Sequence, residues 1–166
     1  MPLDVPDGSD VFIDANIFHY ALIPVDPFTS VVVPFIERLR SGTFTGFTTV
    51  QVLGDALHKT MLSLVAVEHK LNRANLLGWV KKHPDVLQKL AHFNRAVELL
   101  DSLPLSILPV DRGLLGNAAK LAQLHGLLTN DAMIVTSMRQ HGLVNLASND
   151  DDFARVPGLT LWSPRL

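Results

Sequence analysis

Short apolar runs that end in turn or carboxylate residues, each followed by a stretch of helical periodicity, constrain the fold of this chain more than any other feature. Val11-Phe12-Ile13 closes on Asp14-Ala15-Asn16 and leads into a helical segment over 17–22. Gly42 and Gly46 mark a strand over 43–47, and further strands are expected over 105–110, over 143–147 and, at an edge, over 159–162. Between them, Pro27 opens a helix reaching Arg40 that Pro34 should kink, and another helix starts near Thr49. A helix over 112–125 stops at Gly126, and Thr129-Asn130-Asp131 caps one over 132–140 that His141-Gly142 ends. Repeated strand–helix units with short apolar strands predict an α/β fold, a central parallel sheet carrying helices on both faces.

At 166 residues, 48% of them hydrophobic, the chain is expected to form one domain over 1–166. No repeat, linker or low-complexity stretch divides it. Residues 67–103 are helical in pattern throughout, with Trp79, Val80, Val86, Leu90, Phe93, Val97 and Leu100 as candidate buried positions. His83-Pro84 breaks the pattern, so this part reads as an extended hairpin of two helices.

Charge is unevenly spread. From His58 to Arg95, seven basic residues stand against Glu68 and Asp85, giving +5, whereas the chain as a whole carries −2 and the remainder therefore −7. A basic arm on an acidic body suits a protein that grips a polyanion and concentrates carboxylates for another task, although a solvated lysine-rich face gives the same pattern. The absence of cysteine excludes disulfides, thiolate metal sites and cysteine nucleophiles and fits a reducing, cytoplasmic setting. The acidic, proline-broken N-terminus is unlike an export signal, and no apolar stretch approaches the roughly 20 residues of a membrane span.

In open parallel sheets, ligands gather beyond the carboxyl ends of the strands where strand order reverses. Asp14 follows one apolar strand and Asp150 another, Asp131 stands at a helix start, and Asp55 lies on a helix able to flank the same crevice. Four carboxylates so gathered repel one another unless they take up protons or a cation, and Mg²⁺, which prefers oxygen ligands, resolves the conflict. Taken singly, each has a plainer role: Asp14 and Asp131 as helix caps, Asp150 in a solvated acidic turn, Asp55 as an exposed helical aspartate. The seven histidines show no metal-ligand spacing, and there is neither a glycine-rich phosphate loop nor a nucleophile elbow. His58, three residues beyond Asp55, is the one histidine placed to reach a phosphate or a water, although a satisfied structural histidine is the plainer reading.

The run from Val11 through Asp14-Ala15-Asn16 to Phe18 resembles the first motif of PIN domains, especially VapC-type toxins. Leu127-Leu128-Thr129-Asn130-Asp131-Ala132-Met133-Ile134 and Asn145-Leu146-Ala147-Ser148-Asn149-Asp150-Asp151-Asp152-Phe153 resemble the family's later acidic regions, and their order fits nearly the whole chain. The resemblance implies a three-layer α/β/α fold and an endoribonuclease dependent on Mg²⁺ or Mn²⁺ that cleaves structured RNA such as tRNA or rRNA. It implies Asp14, Asp55, Asp131 and Asp150 as metal-site residues, with Asn16, Ser148 and Asp152 in support. It also implies a small antitoxin partner and a homodimer. Lys59, Lys81, Lys82 and Lys89 would then contact RNA phosphates. Two departures stand out: Asp55 occupies a position where the family usually has glutamate, and the helical stretch over 67–103 is longer than in a minimal member.

Two other readings compete. A PIN-like module that binds RNA without cutting it is compatible with the shortened Asp55 side chain, since fold does not fix activity. A phosphoryl-transfer or receiver domain also places an aspartate after its first strand, but Asp14-Ala15-Asn16 lacks a second aspartate at the phosphatase spacing, and no acidic pair precedes the end of the first strand.

Overall fold

The computed structural model describes residues 1–23 and 28–165. Its sheet has five strands in the order β3-β2-β1-β4-β5, formed by β1 (Asp10–Ile13), β2 (Thr45–Thr49), β3 (Leu105–Leu108), β4 (Asn145–Ala147) and β5 (Thr160–Trp162). Every pairing is parallel, with Phe12 opposite Phe47 on one side and Leu146 on the other. Central β1 has both neighbours and both faces covered, which is why Val11, Phe12 and Ile13 form an unbroken apolar run, all fully buried. Burying Phe12 alone contributes about 1.5–3 kcal/mol.

The helices are α1 (Ala15–Leu22), α2 (Phe28–Arg40), α3 (Val50–Glu68), α4 (Leu76–Lys82), α5 (Asp85–Gln88), α6 (Phe93–Asp101), α7 (Arg112–His125) and α8 (Thr129–Gln140). Helix α1 packs on α2 and α3, α3 on α6, and α7 on α8. The chain steps from β1 to β2 to β3 in one direction and then crosses back to β4 on the far side of β1. Right-handed crossovers therefore send α7 and α8 to the face opposite α1 to α3, giving three layers. The direction of travel reverses between β1 and β4, so a crevice opens at their carboxyl ends, directly at Asp14 and Ser148.

Local sequence accounts for the boundaries. Asp111 accepts from the Leu114 amide to start α7, and Gly126 ends it in the left-handed conformation, φ 66°. Thr49 caps α3 by accepting from the Val52 amide. Strand β2 lies two residues later than predicted because Gly46 belongs inside the strand: a Cβ there would stand 2.6 Å from Leu39 Cδ1 and 3.2 Å from Ile13 Cδ1. Helix α8 begins at Thr129, with Leu128 as its N-cap, so Asp131 sits within the first turn instead of preceding the helix. Helix α2 runs through Pro34, while the predicted helix opening at Pro27 lies outside the described residues.

The stretch over 67–103 departs from the predicted two-helix hairpin. Helix α3 ends at Glu68, Lys70 takes a positive φ of 52°, and a short 3-10 turn, Arg73–Asn75, precedes three short helices, α4, α5 and α6. Val65, Leu76, Val80 and Leu90 form a small apolar cluster, with Trp79, Val86 and Phe93 at its margin. This cluster is too small to hold long helices in register, so the chain folds over it in short pieces. Leu100 joins the main core, and Val97 is half-buried. No helix among the described residues is long and apolar enough to cross a membrane.

Candidate functional site

Asp14 follows β1 and caps α1, the residue as a whole 8% exposed. Its Oδ1 accepts from the Ala15 amide at 2.6 Å, and its Oδ2 accepts from Asn16 Nδ2 at 2.6 Å and from Ser148 Oγ at 2.7 Å. Ser148 follows β4, so the last bond ties the carboxyl ends of two adjacent strands. Its hydroxyl oxygen also accepts from Asn16 Nδ2 at 3.1 Å and from the Asp150 amide at 3.1 Å. Asn16 Oδ1 accepts from the Asn149 amide at 3.0 Å, so Asn16 bridges the same two strand ends. Asp14 is thus both a cap and the centre of a network that no helix cap requires.

Electrostatics separate these carboxylates from ordinary surface aspartates. Burial drives the Asp14 pKa upward, opposed by its bonds to Ser148 and Ala15 and by the charge of Lys59, while Asp150 adds to the rise. The Asp131 carboxyl is pushed up to about 6, by burial first and then by Asp150, Asp14 and Asp152, with Lys59 opposing. Asp14, Asp131, Asp150, Asp152 and Lys59 therefore share one field. Asp150 Oδ1 accepts from the Asp152 amide at 2.9 Å, and Asp152 is ion-paired with Arg155 at 2.6 Å.

Asp55 lies on α3, and no hydrogen bond or ion pair among the described residues joins it to this group. It lines a narrow crevice with Thr49, Gln51, Val110, Asn130 and Met133, between α3 and the start of α8. Gln51 Nε2 donates to Asn130 Oδ1 at 3.0 Å and pins the two helices together across that crevice. Lys59, one helical turn beyond Asp55, opens onto a depression of about 480 Å³ that it lines with Asn16, His19, Tyr20, Phe28 and Leu62. His58 is exposed on α3. Lys81, Lys82 and Lys89 lie along α4 and beyond α5, all exposed, and Lys89 is 3.7 Å from Asp85.

Sequence reasoning passed over Asn149, whose Nδ2 donates to the Tyr20 hydroxyl at 2.9 Å and anchors the post-β4 turn to α1. Its only signal was its place between Ser148 and Asp150.

Among the described residues, no group of three or more histidine or carboxylate side chains stands close enough together to enclose a metal ion. The donors do fit a hard, partly hydrated divalent cation. They are all oxygens, two of them resist ionisation because of burial first and neighbouring negative charge second, and Mg²⁺ typically binds through one or two carboxylates while keeping waters.

A family model described as PIN domain matches residues 11–159. No curated protein matches the chain by sequence. Among solved structures, it is similar to VapBC2 from Rickettsia felis bound to a promoter DNA fragment, at 17% identity and a TM-score of 0.58 over 93% of this chain and 98% of that one. VapC20 of Mycobacterium tuberculosis, described as a sarcin–ricin loop cleaving toxin, aligns at 16% identity and a TM-score of 0.59 over 90% and 96% of the two chains. A toxin–antitoxin complex from Klebsiella pneumoniae aligns at 18% identity and a TM-score of 0.52 over 93% and 98%. At these identities the likeness is one of fold.

Proposed function

Because the chain belongs to the PIN domain family of nucleases, we propose that it is a cytoplasmic, metal-dependent endoribonuclease that hydrolyses structured RNA such as tRNA or rRNA. The observation that carries this reading is the buried Asp14 carboxylate, held by three hydrogen bonds and sharing its field with Asp131 and Asp150 at the sheet's switch point. Asp14, Asp131 and Asp150, with Asp55 at the border, would hold Mg²⁺ or Mn²⁺.

Such a cation, when bound, polarises the scissile phosphate and makes a water a better nucleophile. The chain's own contribution is placement. Ser148 and Asn16 fix the rotamer of Asp14, Asp152 aids through its amide contact with Asp150, and Lys59 offers a positive charge to an entering phosphate. Water oxygen attacks phosphorus in line and gives up a proton to solvent, while the bond to the opposite ester oxygen breaks and that oxygen takes a proton from solvent. Lys81, Lys82 and Lys89 add salt-dependent affinity.

The similarity in fold to VapBC2 and to the Klebsiella pneumoniae toxin–antitoxin complex supports a biological role as the toxin of a type II pair with a small antitoxin partner; a homodimeric assembly is part of the same proposal. A PIN-like module that binds RNA without cutting it is the second reading, favoured by the absence, among the described residues, of three carboxylates enclosing one ion. Calorimetric titration with Mn²⁺ separates the two. Binding that is lost in Asp14→Asn supports the enzyme, and no binding to the unaltered protein rejects it.

A further inference from the structure

The site reading leaves unexplained an aromatic group on the basic arm. The His83 ring stacks on the Trp79 indole at 4.2 Å between centroids and 22° between planes, and His83 Nδ1 donates to the Trp79 carbonyl oxygen at 2.9 Å. Ring and backbone contacts together hold His83 flat in one orientation while the residue itself is exposed. His69 meets the same indole at 5.2 Å, tilted by 44°. A histidine that merely capped α4 would need the hydrogen bond but not the stack.

The position of this stack gives it meaning. The depression that starts at Asn16 and Lys59, on the edge of the acidic crevice, ends at Leu77. A second depression, of about 430 Å³, begins at the same Leu77 and is lined by Asn75, Gly78, Trp79 and Lys82. Leu77 is itself 48% exposed. The two depressions therefore adjoin at Leu77 and together form a furrow with a cation at each end, Lys59 beside the acidic group and Lys82 beside Trp79. Spaced cations beside aromatic faces are what a single strand needs: the charges follow phosphates, and the rings accept bases of any sequence.

We propose that single-stranded RNA leaving the acidic crevice runs along this furrow, crosses Leu77 and stacks a base on His83, with Trp79 behind it and Lys82 on the adjoining phosphate. The proposal rests on the ribonuclease reading for the identity of the polymer, but it concerns binding and not cleavage. It would make the arm a specificity element, since a duplex cannot offer an unstacked base there, whereas a loop or a flanking single strand can.

The test uses the full chain in EDTA, so that binding is measured without cleavage, with a fluorescently labelled short single-stranded oligoribonucleotide and anisotropy as the readout. His83→Ala is expected to weaken binding about tenfold, the order of one base-stacking contact, while His83→Phe restores it. Lys82→Ala is expected to lower the salt slope by about one. A duplex of the same length should respond to Lys82→Ala but not to His83→Ala. Equal affinity of His83→Ala and the unaltered chain for the single strand overturns the proposal, even where metal-dependent cleavage is intact. His83-dependent binding with no cleavage in Mn²⁺ supports the furrow and overturns the nuclease reading.

Discussion

Ser148 Oγ lies 2.7 Å from Asp14 Oδ2, so a single hydroxyl joins the carboxyl ends of β1 and β4 and holds the most buried carboxylate of the acidic group. The bond favours the charged form of Asp14 against the burial that disfavours it. Ser148→Ala removes that support and leaves the Asp150 amide without its acceptor. Loss of a hydrogen bond to a buried charged group costs about 1.5–3 kcal/mol, to be read by urea unfolding. Metal-dependent activity should fall about 10- to 100-fold, the usual effect of losing a group that orients a metal ligand. Unchanged stability and unchanged activity would mean that Asp14 does not depend on this contact.

Asp131 gives the metal-free protein a pH-dependent stability of defined sign. Its carboxyl titrates near 3.8 when unfolded and at about 6 when folded, so between these values the folded state binds more protons. Stability is therefore greatest below the lower value and declines as pH rises through the upper one. Thermal melts in EDTA should show the midpoint falling across this window, with a shallower slope and a higher midpoint above pH 6 in Asp131→Asn. A melt curve for Asp131→Asn parallel to and below that of the unaltered chain would contradict the repulsion invoked here.

Asp55 tests the border of the site. Asp55→Ala should leave the melting midpoint nearly unchanged, since the side chain is only half-buried, at a small crevice on the margin of the main core. Metal-dependent cleavage should drop about tenfold if Asp55 orients the cation's waters. Full activity in Asp55→Ala would assign the cation to Asp14, Asp131 and Asp150 alone.

Gly46 reports on the close fit of β2 to its neighbours. A methyl group there would meet Leu39 Cδ1 at 2.6 Å, Leu105 Cδ2 at 3.1 Å and Ile13 Cδ1 at 3.2 Å. Gly46→Ala should destabilise the protein by about 1–3 kcal/mol, the range for overpacking a core. A neutral result in chemical denaturation would show that the Leu39 side chain gives way freely.

Legibility in the sequence followed how much each segment is constrained by its own residues. Strands β1 and β4 are short, end in buried apolar residues and are followed by turn residues, and their pattern has one reading. Helix α7 carries its start and stop signals locally, Asp111 and Gly126. The glycine in β2 read as punctuation because the contact that requires it, with Leu39, lies in another element. Residues 67–103 misled for a related reason: helical periodicity repeats equally well in one long helix and in several short ones, and the small cluster around Val80 that decides between them is tertiary. The gathering of Asp14, Asp131 and Asp150 in one field was legible from their places after strands and at a helix start. The hydrogen-bond roles of Asn16 and Asn149 were not, because they span β1 and β4 across more than a hundred residues of chain.

The central claim is tested most directly by incubating total RNA with the purified protein in Mg²⁺ or Mn²⁺, beside Asp14→Asn and an EDTA control. Discrete products that vanish in both controls are the expected result. Products that persist in Asp14→Asn, or no cleavage by an unaltered protein that still binds RNA, would contradict the account of Asp14 as the centre of a metal-dependent ribonuclease site.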